Sequence, residues 1–280
     1  MNCLVCESKM VPDIVDLTYR CMACWFYSSE LPVEINSVYV IDEDVRENAL
    51  YPLRKVGIQA LMKEFRKFIN RGSSILDVGC AHGWFITAAL EAGYPSFGIE
   101  PDHKMAERLR ASKIDFVEGY FPDALSAEQK YDIVTFHDVF EHLPNLDGIL
   151  NAVRDHLKPN GLLVINLPVT DGLFFRVARQ LAFVGLVGPL ARLWQKGLPS
   201  PHLSYFSRTN LLHYVTHRGF KYVRGFDLPS VTTEKLWKRI RYDTSLGFVR
   251  ALGIFVGVHL LVPLTRVTKS DARCFVFTKL

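Results

Sequence analysis

The stretch "ILDVGCAHGWF", from Ile75 to Phe85, decides the fold that the sequence predicts. Its first half is an apolar run typical of a buried strand, and its second half opens a helical pattern. Gly79 and Gly83 lie between the two halves and permit a tight turn with close approach of the backbone to a ligand. Asp77 is an acid within an apolar strand, which indicates that its charge or its hydrogen bonds are used there.

Strand and helix patterns alternate on both sides of this stretch. From Ser74 to Pro168, short apolar runs alternate with helical segments, and further strands are expected near Tyr222–Phe226 and in the last stretch, "ARCFVFTKL". Such alternation predicts parallel strands joined by crossover helices. We therefore expect an α/β fold with a doubly wound, mostly parallel sheet. A helix over about residues 46–69 precedes it.

Four of the six cysteines lie in two C-x-x-C pairs near the N terminus. They are Cys3, Cys6, Cys21 and Cys24, with 14 residues between the pairs. Each pair places two thiolates on one turn, so two turns can close a tetrahedron around zinc. A segment this short cannot bury a sufficient core, and a metal would supply most of its folding energy. We predict a structural zinc ribbon over residues 1–30, with a redox pair or plain buried thiols as alternatives.

The remaining chain divides into a linker with the N-terminal helix over 31–72 and the alternating domain over 73–280. Helical lid inserts are expected near 171–200 and 232–265. The formal net charge of +4 over 280 residues is too small to indicate a dedicated nucleic-acid binder. No apolar run follows a basic start, so we expect no secretory signal and a cytoplasmic protein.

Two apolar segments bear on the membrane question. Gly172–Trp194 is interrupted by Arg176, Arg179 and Gln180, and the uncharged run in the second segment covers only Ala251–Leu264. That run is shorter than the ~20 residues that a spanning helix needs. We predict core or lid helices. The alternative is an in-plane membrane helix and a membrane-associated protein, because basic residues flank the apolar faces.

The opening stretch resembles the first motif of class I S-adenosylmethionine-dependent methyltransferases, D/E-x-G-x-G-x-G. Asp77, Gly79 and Gly83 match it, and Ala81 stands at the middle glycine. The second strand ends in "GIEPD", where Glu100 matches the acid that takes both ribose hydroxyls. The fourth ends in "FHDVFEHLPN", which resembles the family's segment at that place.

The resemblance covers about residues 58–226 and implies a Rossmann-like, seven-stranded sheet that binds S-adenosylmethionine. Asp77 would contact the cofactor's amino-acid end, and Tyr120 or Phe121 would pack on the adenine. Glu100 could instead cap the next helix, but Asp102 already serves there. The implied cofactor contacts are Asp77, Gly79, Cys80 through its backbone, Ala81, Gly83, Glu100, Pro101, Tyr120, Phe121, His137 and Asp138.

Methyl transfer needs a positioned nucleophile and a base near neutral pKa. The candidate catalytic residues are His202, His137, Glu141 and His142. His202 lies in "SPHLSYFS", which resembles the E-H-L-x-Y-F-S segment of zinc-ribbon sugar C-methyltransferases, with Pro201 in place of the acid. A purely structural role for His202 is the alternative. Asp138, Glu141 and His142 could instead hold a divalent ion, as in some quinone O-methyltransferases.

The expected function is O- or C-methylation of a small molecule, a sugar or a lipid-linked glycan precursor, since the apolar inserts fall where such enzymes build the acceptor pocket. An RNA methyltransferase that docks through the ribbon is one alternative. Only Lys9 and Arg20 are basic in residues 1–30, which argues against it. A non-catalytic scaffold is the other alternative, and the presence of both Asp77 and Glu100 argues against that.

Overall fold

A computed structural model describes residues 1–36, 43–241 and 246–280. The strands are β1 (Met10–Pro12), β2 (Thr18–Cys21), β3 (Tyr27–Ser29), β4 (Ile75–Val78), β5 (Ser96–Glu100), β6 (Phe116–Glu118), β7 (Tyr131–His137), β8 (Leu157–Pro168), β9 (Ser204–Tyr205), β10 (Phe220–Leu228) and β11 (Ala272–Lys279). The α-helices are α1 (Glu43–Phe65), α2 (Trp84–Glu91), α3 (His103–Ala111), α4 (Leu146–His156), α5 (Leu173–Phe183), α6 (Gly188–Leu193), α7 (Arg208–Thr216), α8 (Leu236–Arg241) and α9 (Phe248–Leu261). Short 3-10 helices cover Phe140–His142 and Val262–Arg266.

Seven strands form the central sheet in the order β10-β11-β8-β7-β4-β5-β6. Strands β4 to β8 pair in parallel, and β11 runs antiparallel to both β8 and β10. The predicted doubly wound, mostly parallel sheet of seven strands is thus confirmed. Strand β4 has β5 on one side and β7 on the other, so the strand order reverses at β4. In open α/β sheets, ligands bind beyond the carboxyl ends of the strands at such a point.

Helices cover both faces of this sheet, as the apolar strands predict. Leu76 and Val78 on β4 pack into a core with α4 and α7, whereas Ile75 packs into a second core with α1 and α2. Successive side chains of a strand point to opposite faces, so a strand buried on both faces must be apolar at successive positions. All four residues of β4 are buried, including Asp77.

The helix predicted over residues 46–69 is α1, which ends earlier, at Phe65. Turns follow, in which the Phe68 and Ile69 N–H groups both donate to the Phe65 carbonyl. Ile69 is still buried in the same core as Phe65. The apolar pattern therefore continues past the last helical turn, which is why the sequence predicts a longer helix.

The N-terminal ribbon is joined to the large domain by a shared sheet. Strands β1, β2 and β3 are antiparallel, and β9 extends them through the pairs Tyr27–Tyr205 and Ser28–Ser204. The insert predicted near 171–200 contributes α5 and α6, whose apolar face packs on Val15 and Tyr27 of the ribbon and on Leu31 just after it. This first insert therefore buries an apolar face against the ribbon, and its role as a lid stays a prediction.

The second insert contributes α8 and α9 between β10 and β11. Within the described residues, the window Phe248–Thr265 is the one helical segment long and apolar enough to cross a membrane, and only 6% of it is buried. The interpretation of this segment as a core helix is therefore wrong. Its packing partner is α8, through Leu236, Ile240 and Ala251.

Candidate active site

The loop after β4 is held in a left-handed path at its glycines. Gly79 has φ 71° and Gly83 has φ 69°, values that non-glycine residues seldom adopt. A Cβ at Gly79 would lie 2.7 Å from Val139, and one at Gly83 would lie 2.3 Å from Ile114. The backbone conformation thus favours glycine at both positions, and a Cβ at either would displace a neighbouring side chain. Ala81, at φ 46°, adopts the same region although it carries a side chain.

Cys80 turns its side chain away from the carboxyl edge of the sheet. It is buried with Ile86 and Leu109, and a Cβ at Gly98 would lie 2.5 Å from its sulfur. The backbone N–H of Cys80 donates to the Ile99 carbonyl. This orientation is compatible with the prediction that Cys80 contributes only backbone to a cofactor site, which stays a prediction.

The Glu100 carboxylate is fixed at the end of β5 by two backbone N–H groups. One oxygen accepts from Ala81 at 2.7 Å and the other accepts from Asp102 at 2.9 Å. Asp102 itself caps α3 by accepting from the N–H groups of Lys104 and Met105, so Glu100 is not needed as the cap. Each Glu100 oxygen keeps a further acceptor site, enough for a pair of neighbouring hydroxyls.

Asp77 supplies a second buried carboxyl group beside this loop. Its Oδ1 accepts from the Thr135 hydroxyl at 2.9 Å, and the residue is 2% exposed. Burial, with a smaller contribution from the Glu100 charge, raises the pKa of Asp77 to about 7, and the Thr135 hydrogen bond opposes this rise. Burial also raises the pKa of Glu100. A cationic ligand would favour the ionised form of both groups.

Arg54 on α1 brings a cation to the same edge, which the sequence analysis missed. Its guanidinium forms an ion pair with Asp138, just after β7. Its charge is also a secondary cause of the lowered pKa of His137 and opposes the raised pKa of Glu141. The basic residues of α1 alternate with apolar ones, which is equally typical of a solvated helix face, so the sequence offers no signal that singles Arg54 out.

Asn36 is the second residue that the sequence analysis missed. Its side-chain amide donates to the Pro101 carbonyl at 3.0 Å, and its side-chain oxygen accepts from the His103 N–H at 3.0 Å. The segment before α1 is thereby tied to the end of β5, next to Glu100. Pro101, which is predicted to lie at the cofactor site, takes part in this contact through its carbonyl.

The other residues predicted around the cofactor lie at differing depths. Tyr120 is 55% exposed, whereas Phe121 packs in the core against Phe136 and His156. His137 packs 4.2 Å from the Phe85 ring, and its two ring nitrogens have no hydrogen-bond partner among the described residues. Burial lowers the pKa of His137 to about 3, so it is neutral at physiological pH. Adenine contacts by Tyr120 and Phe121 stay predictions.

Glu141, His142 and His202 form one cluster. The Glu141 Oε1 lies 4.0 Å from His142 Nε2 and 3.9 Å from His202 Nε2. Burial raises the pKa of Glu141 to about 8 and lowers that of His202 well below its usual range. Both are therefore uncharged at neutral pH. Within the described parts of the chain, neither Glu141 carboxyl oxygen nor His202 Nδ1 has a hydrogen-bond partner.

The ligand atoms of this cluster lie within 4.8 Å of one another, close enough to hold a metal ion. The sequence alternative placed Asp138 with Glu141 and His142 as the ligands. The structure instead groups His202 with Glu141 and His142. The Asp138 carboxylate pairs with Arg54.

The four N-terminal cysteines also converge. The Cys3 and Cys24 sulfurs are 3.5 Å apart, those of Cys6 and Cys21 are 3.4 Å apart, and all four lie within 4.8 Å of one another. Thiolates around one zinc ion at ~2.3 Å lie about 3.8 Å apart, so the four positions fit a tetrahedral site.

The ribbon is bonded directly to the segment that carries His202. The Ser29 hydroxyl donates to the His202 carbonyl at 2.6 Å, and the Ser29 N–H donates to the Leu203 carbonyl at 2.9 Å. The Leu203 N–H donates in turn to the Glu141 carbonyl at 2.8 Å. The ribbon, the His202 segment and the turn after β7 are thus connected by consecutive hydrogen bonds.

Comparison with known proteins identifies what this architecture is similar to. A family model described as a methyltransferase domain matches residues 52–224. Ubiquinone biosynthesis O-methyltransferase of Rickettsia conorii is 33% identical over 132 residues, which is 44% of this chain and 44% of that protein. The protein of the same name from Leptothrix cholodnii is 27% identical over 197 residues, 64% of this chain and 77% of that one.

The matches to these relatives are partial, because the first two cover 44% and 52% of the relatives' length. Among solved structures, mycolic acid cyclopropane synthase CmaA1, complexed with S-adenosylhomocysteine and CTAB, aligns with a TM-score of 0.57 at 13% identity. That alignment covers 79% of this chain and 84% of the synthase. Likeness at this identity concerns the fold alone.

Proposed function

The chain belongs to the family of methyltransferase domains, and from this membership we propose that it is an S-adenosylmethionine-dependent methyltransferase. The observation that carries the proposal is the buried Glu100 carboxylate, held at the end of β5 by the N–H groups of Ala81 and Asp102. It ends the strand next to β4, where the strand order reverses, and it has acceptor sites left for the two ribose hydroxyls. The resemblance of the loop and the partial matches to named methyltransferases support the same conclusion.

The charged groups around the loop complement those of the cofactor. S-adenosylmethionine, when bound, supplies an electrophilic methyl group on a sulfonium, and it also carries an ammonium and a carboxylate. Asp77 provides a buried negative charge for the cationic part. Arg54, paired with Asp138, provides a cation for the carboxylate. The Asp77 carboxylate and the Arg54 guanidinium would each meet an opposite charge on the bound cofactor.

His202 is the base that we assign to the acceptor. Burial keeps its imidazole neutral, so it has a lone pair to accept a hydroxyl proton. Glu141, 3.9 Å away, stabilises the resulting imidazolium when its own carboxyl is ionised. His137 is neutral for the same reason, and its ring packs on that of Phe85.

The acceptor that we propose is a small hydroxylated molecule with an apolar, lipid-like part, methylated on oxygen. The names of the relatives from Rickettsia conorii and Leptothrix cholodnii support O-methylation. The segment around His202 supports a sugar acceptor as the second candidate. A structural zinc ion on Cys3, Cys6, Cys21 and Cys24 completes the proposal, and metal analysis should find one zinc per chain.

The function is tested with methyl-labelled S-adenosylmethionine and an extract of small molecules and lipids. We expect label in a lipid-soluble product, and we expect His202→Ala to lower the rate by about 10²–10⁴-fold while cofactor affinity stays unchanged. The matched control is His213→Ala, an exposed histidine on α7, which should transfer at the normal rate. Label recovered only in RNA would favour a ribbon-docked RNA substrate, and no labelled product of any kind would contradict the proposal.

A further inference from the structure

Helix α9 is apolar apart from Arg250 in its first turn and His259 in its last turn, yet it is largely exposed. Phe248, Leu252, Val256 and Leu260 recur every fourth residue along one face and are between 44% and 72% exposed. Its other face meets α8 through Ala251, which is fully buried. A helix that is apolar all round normally belongs in a protein core or in a membrane. The described fold provides no core for the exposed face.

Basic residues are concentrated around this helix. Residues 235–269 contain seven lysines and arginines and one acid, Asp243, so this segment alone carries more positive charge than the net +4 of the whole chain. Lys235, Lys238 and Arg250 are exposed. An apolar helix face bordered by cations complements the surface of a membrane that contains anionic lipids.

The sheet topology excludes a simple membrane crossing by α9. The chain leaves β10 at Leu228 and re-enters β11 at Ala272, and these two residues are paired in the sheet. A single crossing would place the paired strands on opposite sides of the bilayer. A second crossing would need another long apolar helix, and in the described part of this insert the other α-helix is α8, with six residues. If α9 meets a membrane, it therefore lies along the surface and does not cross the bilayer.

We propose that the α8–α9 hairpin docks this protein on an anionic lipid bilayer, with α9 in the plane of the interface. The exposed face of α9 enters the boundary between headgroups and acyl chains, and the flanking cations contact the anionic headgroups. Helix α6 contacts α8, because the Arg192 guanidinium donates to the Arg239 carbonyl. Between α5 and α6 the chain also exposes Phe183 and Val184. This docking does not depend on methyl transfer.

The experiment is a flotation assay of the full-length chain with vesicles of phosphatidylcholine alone and of equal parts phosphatidylcholine and phosphatidylglycerol. We expect binding to the anionic vesicles and much weaker binding to the neutral ones. The double variant Val249→Asp, Leu260→Asp should lose binding. Both side chains are more than 70% exposed, so the fold should survive. The triple variant Lys235→Gln, Lys238→Gln, Arg250→Gln should lower partitioning on the order of a hundredfold.

Leu90→Asp is the matched control, because Leu90 is an exposed helical leucine on α2, remote from this hairpin in the sequence. It should float like the unaltered protein. Circular dichroism and S-adenosylmethionine titration establish that each variant is folded. Binding that is equal for the double variant and the control would overturn the proposal. A second result would also overturn it: no binding to vesicles, together with a dimer that the double substitution dissociates. In that case α9 would face a second copy of the chain.

Discussion

Ala81 is the residue at which the cofactor loop departs from the family motif, and its backbone shows the cost of that departure. It adopts a left-handed conformation at φ 46°, which costs a residue with a Cβ about 1–2 kcal/mol. Glycine loses more conformational entropy on folding, which offsets part of this gain. We therefore predict that Ala81→Gly stabilises the protein by about 1 kcal/mol. Thermal unfolding measures this change.

The control for this substitution is Ala111→Gly, at an exposed position in the last turn of α3, which should destabilise the protein by up to about 1 kcal/mol. Equal destabilisation by both substitutions would show that the loop is not strained at Ala81.

Asp77 should make cofactor binding depend on pH. Its pKa of about 7 means that the carboxylate becomes ionised through neutrality, so affinity for the cationic cofactor should rise from about pH 6 to about pH 7.5. The stability of the free protein should depend on pH in the opposite direction. Because the pKa of Asp77 in the folded state lies above its ordinary value, stability falls as pH rises towards 7. Calorimetric titration across this range should show the rise in affinity, and Asp77→Asn should abolish it. An unchanged slope in Asp77→Asn would exclude Asp77 as its source.

At the scale of elements, the sequence predicts the alternating strands and helices well, because buried parallel strands and capped helices leave local signals. Asp102 before α3 and Ser207 before α7 are caps of this kind, and both bond as caps in the structure. The pairing of β3 with β9 leaves no such signal, since it joins residues some 175 positions apart in the chain. Arg54 and Asn36 escaped prediction for the same reason, because their partners are distant in sequence.

A buried ion pair between Asp13 and Arg179 connects the ribbon to α5. Arg179 donates from two nitrogens to the Asp13 carboxylate, at 2.8 and 3.2 Å, and the Asp13 side chain is 2% exposed. Loss of one partner leaves a buried charge, so we predict that Asp13→Ala destabilises the protein by about 3–5 kcal/mol. The exposed pair of Asp16 and Lys196 is the matched control, and Asp16→Ala should cost at most about 1 kcal/mol. Similar denaturation midpoints for the two variants would show that the buried ion pair contributes little.

At the scale of the whole molecule, the described bonds of the ribbon reach the segment of the proposed base His202, and not the proposed cofactor contact Glu100. Its bonds from Ser29 reach His202 and Leu203, whereas Glu100 is held by its own neighbours. We predict that removal of zinc by a chelator leaves S-adenosylmethionine affinity unchanged within about twofold and abolishes methyl transfer. Hydrogen exchange should rise over residues 27–29 and 203–205 and stay slow over 75–83. Equal loss of protection in both regions would contradict this division.

The central claim is that Glu100 holds the ribose of S-adenosylmethionine, and calorimetric titration of the cofactor tests it most directly. The unaltered protein should bind at one saturable site, and Glu128→Gln, an exposed acid in the loop before β7, should bind equally well. Glu100→Gln should bind about 10–100-fold more weakly, because a carboxylate that accepts hydrogen bonds from the ribose hydroxyls is replaced by a neutral amide. Absence of saturable binding by the unaltered protein, or equal affinity of the Glu100→Gln variant, would contradict the account.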